Sequence, residues 1–127
     1  MLFGIGCSKA IKPTSKKSPY SFETAIKNGD VVYLFDKEYN VKKLEQFMEN
    51  VKKDKTDKIR ITHYTLEGDA ILTDLEYNDE KINYTHDTTR DDFGTKKIDK
   101  QILDVDSIYK SGSKYYIKAV PNDILIY

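Results

Sequence analysis

The sequence predicts an α+β domain in which two N-terminal helices pack on an antiparallel β-sheet with a central three-stranded meander. Three observations point there. Val41, Leu44, Phe47, Met48 and Val51 recur at helical spacing. Residues 58–87 alternate apolar and polar side chains between two turn signals. A shorter helical stretch opens at Ser18-Pro19 and closes at Asn28-Gly29.

In chain order, Ser18 is a fit N-cap with Pro19 at the first helical position, and Phe22, Ala25 and Ile26 share one face. Val31 to Phe35 is a β-branched and aromatic run bounded by Asp30 and Asp36, long enough for one strand. Asn40 then caps the main helix, whose second face carries Lys42, Lys43, Glu45, Glu49 and Lys52. The meander follows, with strands at 58–66, 70–78 and 81–87. Gly68 supplies a three-residue turn between the first two, and Asn78-Asp79-Glu80-Lys81 makes a two-residue hairpin between the last two. Alternation places Ile59, Ile61, His63, Thr65, Ile71, Thr73, Leu75, Tyr77, Ile82, Tyr84 and His86 on the face that packs on the helices. Arg60, Thr62, Tyr64, Asp74, Glu76, Lys81, Asn83 and Thr85 are expected on a wet face. Shorter strands at 102–110 and 114–119 precede an apolar terminus, Ile124 to Tyr127.

A chain of 127 residues accommodates one domain, expected over 20–127. Charged residues reach 33% against 39% hydrophobic, and mean hydropathy is −0.65, so the core is modest and the surface heavily charged. Twenty-one basic residues balance twenty-one acidic ones, which gives no support to a nucleic-acid partner. No phosphate loop, HExxH, GxSxG or CxxC is present, and no cofactor is expected.

Residues 1–19 read differently. Gly4 and Gly6 sit three and one positions ahead of the single cysteine, Cys7, behind an apolar run, which is the spacing of a lipobox. Small residues there give the lipidating and cleaving enzymes access to the backbone. The segment lacks the basic n-region and the apolar stretch of about 7–15 residues of a full secretory signal, so the natural start is expected upstream. The plainer alternative is a buried cysteine acting as a small hydrophobe. Residues 8–19 hold four lysines and no acid and read as a mobile tether. With a lipid on Cys7 those lysines add a second membrane signal, about 1 kcal/mol per charge near anionic lipid.

Lys58-Ile-Arg-Ile-Thr-His-Tyr-Thr-Leu-Glu-Gly-Asp69, Thr73-Asp-Leu-Glu-Tyr77 and Tyr84-Thr-His-Asp-Thr-Thr-Arg-Asp-Asp-Phe-Gly94 resemble a small family of lipoproteins from Gram-positive bacteria, domain of unknown function 4362. The resemblance spans residues 19–127. It implies export, a lipid-bearing N-terminal cysteine, an extracytoplasmic location on the cell membrane, and no assigned activity. Members often carry a cysteine pair in the last third, where this chain has Val105 and the Ala119-Val120 region, so that disulfide is not expected here.

Three constellations merit weighing. His63 and His86 fall on strands flanking Thr73, on one face; two imidazoles alone make a poor metal site, and their bland reading is hydrogen bonding to Thr73 or Tyr84. Residues 69–94 hold eight acids against Lys81 and Arg90, a surface that attracts a cation or basic partner, or else a solvated sheet face with loop-capping aspartates. In the loop Arg90-Asp91-Asp92-Phe93-Gly94 the binding reading rests on Arg90. The structural reading has Arg90 paired with a carboxylate, Phe93 plugging the core and Gly94 at positive φ. The candidate binding residues are therefore His63, Tyr64, Thr73, Asp74, His86, Asp87, Arg90 and Asp91, with no metal and no catalytic residue assigned. The expected function is an uncharacterised membrane-anchored binding or interaction module for a protein or small molecule. The alternative is a small hydrolase or transferase using His63 and His86 with a carboxylate from 87–92.

Overall fold

A computed structural model describes residues 20–119 and 122–126. Cys7, the tether and the Ser18-Pro19 helix start lie outside the described residues. Helix α1 runs Phe22–Lys27 from a Ser21 cap whose hydroxyl accepts from the Thr24 amide at 3.2 Å. It closes as expected at Asn28-Gly29, where Gly29 takes φ +88°. Strand β1 (Val31–Leu34) turns at residues 35–36 into β2 (Lys37–Tyr39), and α2 (Lys42–Lys52) follows. The meander is β3 (Asp57–Tyr64), β4 (Ala70–Asn78) and β5 (Lys81–Asp87). Then come β6 (Ile98–Leu103), β7 (Ile108–Ser111), β8 (Lys114–Ile117) and β9 (Ile124–Leu125).

This arrangement corrects the expected fold class. The protein is mostly β: a six-stranded mixed sheet of order β2-β1-β3-β4-β5-β6 and a three-stranded sheet β7-β8-β9, with two helices among the described residues. Neither a purely antiparallel sheet nor a pair of helices stacked on one side of it is present. Strand β1 lies parallel to β3, with Val31 opposite Ile61 and Leu34 opposite Tyr64. Parallel neighbours need a crossover, and α2 provides it by carrying the chain back to the end where β1 began.

The helices take opposite faces of the large sheet. On one face Leu44 and Phe47 of α2 pack with Val31, Tyr33, Ile61, Leu75, Ile82 and Tyr84, joined by Ile108, Tyr115 and Ile117 of the small sheet. On the other, Ala25 of α1 packs with Val32, Tyr64, Ala70 and Leu72, flanked by Phe22, Ile26 and Leu34. Consecutive residues Val31 and Val32 thus enter different cores, as strand alternation requires. The expected wet face is therefore corrected at Thr62 and Tyr64, which are buried under α1. Glu76, Lys81 and Asn83 are exposed.

Two smaller expectations also change. Asn40 does not cap α2. It sits at φ +60° and donates its amide to the Asp30 carbonyl at 2.8 Å, while Val41 holds the cap position without a side-chain bond. The strand expected at 102–110 divides into β6 and β7, because the Ser107 amide bonds the Asp104 carbonyl at 3.0 Å and turns the chain.

Candidate binding pocket at the loop end of the large sheet

The registers bring three connections to one end of the six-stranded sheet. Leu34, Tyr64 and Ala70 lie side by side across β1, β3 and β4, and Leu72, Asp87 and Ile98 across β4, β5 and β6. The turn at 35–36, the loop at 65–69 and the loop at 88–97 therefore emerge together. Between them lies a cavity of about 520 Å³, within the range that accommodates small ligands. Its walls are mainly apolar, with Phe22, Leu34, Phe35, Tyr64 and Ala70, and Arg90 joins them from the third loop.

Each connection is held by its own hydrogen bonds. In the second loop the Thr65 amide donates to the Asp69 carbonyl at 3.0 Å, the Gly68 amide to the Thr65 carbonyl at 2.9 Å, and Gly68 takes φ +89°. In the third, Asp87 accepts from the Thr89 amide at 2.8 Å and its hydroxyl at 2.6 Å, and the Thr88 hydroxyl donates to the Thr95 carbonyl at 2.6 Å. The Asp92 amide donates to the Asp69 carboxylate at 3.1 Å, tying the two loops together. The first connection is strained: Phe35, at the start of a two-residue turn, has φ +56°, a conformation that costs a bulky residue about 1–3 kcal/mol.

Arg90 is under-bonded. Its Nη1 is 3.8 Å from Asp87 Oδ2, its guanidinium lies 5.9 Å from the centre of the Tyr20 ring, and its buried Nε has no hydrogen-bond partner. Arg60 lies 6.0 Å from the same ring centre but is fully engaged, donating to both oxygens of Asp74 at 2.7 and 2.9 Å. That forked pair, more than any other neighbour, raises the Arg60 pKa. Tyr20 donates to Asp30 at 2.6 Å, and Thr62 donates to the same carboxylate oxygen at 2.9 Å. Burial, then the bond to Asp30, raises the Tyr20 pKa, and burial raises that of Tyr64, whose hydroxyl donates to the Tyr20 carbonyl.

The eight candidate residues fall into two groups. Tyr64 and Arg90 line the cavity; Asp87 adjoins Arg90, and Asp91 braces the loop by accepting from the Phe93 amide at 3.0 Å. Asp74 lies on the same sheet face, engaged by Arg60. His63, Thr73 and His86 share the opposite face, around a separate cavity of about 80 Å³ walled by Ile61, Ile71, Ile117 and Ile124. Thr73 Oγ1 lies 3.0 Å from His86 Nδ1, and Tyr84 stacks on His86 at 6.1 Å. His63 is exposed rather than turned into the core as expected, and His86 is half-buried; the burial each has lowers the pKa of both imidazoles. Alternation along β5 turns His86 and Asp87 to opposite faces, and the cavity beside the histidines shares no lining residue with the one beside Arg90. Among the described residues no group of three or more His, Cys, Asp or Glu is placed to hold a metal ion.

Two expectations about the third loop are corrected. Phe93 is 77% exposed and plugs nothing, because the Asp91 side chain bonds its amide and the loop carries the ring outward. Gly94 is not at positive φ; a Cβ there would come within 2.6 Å of an Asp91 carboxylate oxygen, so a larger residue would need only the Asp91 side chain to shift. Reading the sequence missed Tyr20, Phe22 and Phe35 as wall residues. The signal available for Phe35 was an aromatic placed directly before an aspartate in a two-residue turn.

The sequence model of a family described as domain of unknown function (DUF4362) matches residues 28–116. The chain belongs to this family. The DUF4362 match runs from the end of α1 into β8 and contains all six strands of the large sheet, together with Phe35, Tyr64 and Arg90 of the pocket. Tyr20 and Phe22, which complete the wall, precede it. No curated protein and no solved structure matches the chain. No helix of the described residues is long and apolar enough to cross a membrane.

Proposed function

We propose that this DUF4362 protein is a lipid-anchored extracytoplasmic binding module. Cys7 carries the lipid, residues 8–19 are a basic tether to the membrane surface, and the pocket at the loop end of the large sheet receives the ligand. The observation that carries the binding reading is the cavity of about 520 Å³ with its apolar wall and an under-bonded arginine. An unpaired buried donor costs about 1–3 kcal/mol, a cost that a ligand acceptor brought to Arg90 offsets. The ligand class that fits is an apolar or aromatic body bearing an anionic or strongly accepting group. The bacterial source and the export that go with the lipid anchor rest on the family resemblance and on the Gly4, Gly6, Cys7 spacing.

Two measurements test this reading. Expressed with a complete signal in a Gram-positive host, the protein takes up a clickable fatty acid, and Cys7→Ala is released to the medium; equal membrane retention of the variant removes the anchor. Anilinonaphthalene sulfonate, an aromatic body with one anion, binds at a single saturable site. Arg90→Gln weakens that binding about tenfold, equivalent to about 1.4 kcal/mol. Non-saturable binding, or an affinity unchanged in Arg90→Gln, overturns the pocket assignment.

A further inference from the structure

One exposed apolar side chain on a surface is ordinary, and three on one rim are not. Each of the three connections at the loop end presents one: Phe35 at 53% exposure, Leu66 at 85% and Phe93 at 77%. Phe35 does so at a left-handed φ, in a turn position that glycine would occupy without strain. At the far end the β4–β5 turn is polar throughout, Asn78 pairing with Lys81 across Asp79-Glu80, and the exposed apolar side chains there, Ile102 and Val105, lie on β6 and just after it.

The described chain also begins at the apolar end. Tyr20 lines the pocket and its carbonyl accepts from Tyr64 at the end of β3. Twelve residues lie between Cys7 and Tyr20, a span of at most about 45 Å when extended. A tether from Cys7 therefore enters the fold at this end of the sheet, beside the pocket.

We infer that the tips Phe35, Leu66 and Phe93 rest in the bilayer interface, so that the pocket between them opens toward lipid and its ligand is a membrane-borne amphiphile. This inference rests on the anchored-module reading. Apolar contact carries it and charge does not: the connections 35–36, 65–69 and 88–97 hold five acids against three bases, which disfavours an anionic surface. The basic tether meets anionic lipid instead.

The chain contains no tryptophan and one cysteine, which makes the test direct. The full chain is coupled through Cys7 to a maleimide lipid in phosphatidylcholine vesicles containing acyl-brominated lipid, as Leu66→Trp, Phe93→Trp or Val105→Trp. Val105 is 44% exposed and follows β6 at the far end, so it serves as the control. Bromine quenches fluorescence at least twofold more in the Leu66→Trp and Phe93→Trp proteins than in Val105→Trp, and their emission shifts to the blue. Equal quenching at the three positions, or none, overturns the inference, as does quenching that appears only when phosphatidylglycerol is added. Because the lipid is attached chemically, the result does not depend on whether cells acylate Cys7. Fatty-acid labelling decides that reading separately.

Discussion

On the α2 face of the large sheet, Leu44 and Phe47 are fully buried in a continuous apolar cluster that reaches Ile117 of the small sheet. On the α1 face, the apolar cluster is smaller and sits beside a buried polar group: Asp30 is 6% exposed and accepts from Tyr20 and Thr62. A buried carboxylate is tolerated only when its acceptors are satisfied, so the α1 face depends on directed bonds where the α2 face depends on shape. The pocket opens on the α1 face. A six-residue helix and a short apolar cluster leave part of the sheet end uncovered, whereas the other face is covered by an eleven-residue helix and a second sheet, with a smaller cavity of about 350 Å³ between Phe47 and Ile108.

The largest expected effect comes from the apolar face. Phe47→Ala removes a fully buried ring from α2 and costs about 3–5 kcal/mol, because the surrounding Leu44, Ile82 and Ile108 collapse only partly into the space. Urea titration measures it; a loss below about 1 kcal/mol would show that this face is loosely packed.

The α1 face has a smaller and chemically different response. Asp30→Ala leaves the buried Thr62 hydroxyl and the Tyr20 hydroxyl without their acceptor and costs about 2–3 kcal/mol. Removing the donors as well sharpens the comparison. In a Tyr20→Phe, Thr62→Val background, Asp30→Leu regains part of that loss, since apolar groups of similar size leave nothing unpaired. If the triple variant is less stable than Asp30→Ala, bond satisfaction is not what governs this face.

Legibility followed the same division. The meander was readable almost to the residue: strands expected at 58–66, 70–78 and 81–87 stand at 57–64, 70–78 and 81–87, since period-2 alternation and two turns act over neighbouring residues. The parallel pairing of β1 with β3 was implicit in a strand, helix, strand order, and the local periodicity of each element could not express it. Strand β2 is the polar triplet Lys37-Glu38-Tyr39, which carries no alternation signal. The choice of opposite faces for the helices is tertiary; Val31 and Val32 look alike in sequence and enter different cores. Loop length pointed to Arg90, but the pocket also needs Tyr20, Phe35 and Tyr64, which topology rather than sequence proximity brings together.

The smallest effect separates the faces by titration. Both histidines of the protein lie on the α2 face, so between about pH 5 and 7 imidazole titration acts on that face alone. Burial lowers the His63 pKa; for His86 the same cause outweighs the opposing pull of Asp99 and Asp87. Both folded-state values therefore lie below the ordinary value of about 6.5 that the unfolded chain retains. In the interval between them the unfolded chain binds more protons than the folded one, so stability falls as pH drops through about 6.5 and levels off below the folded values. Among the described residues the two carboxylates whose values are clearly lowered, Glu45 through its bond from Tyr115 and Asp123 through its bond from Tyr109, lose their contribution in more acidic solution. Urea titrations at pH 5, 6, 7 and 8 should show the wild type weakening toward pH 5 and the His63→Gln, His86→Gln protein weakening less. A slope unchanged in the double variant would place the response outside the imidazoles, and a wild type that strengthens toward pH 5 would require a charged imidazole stabilised on this face, opposite to the apolar walls of Ile61, Ile71, Ile117 and Ile124 that surround the pair.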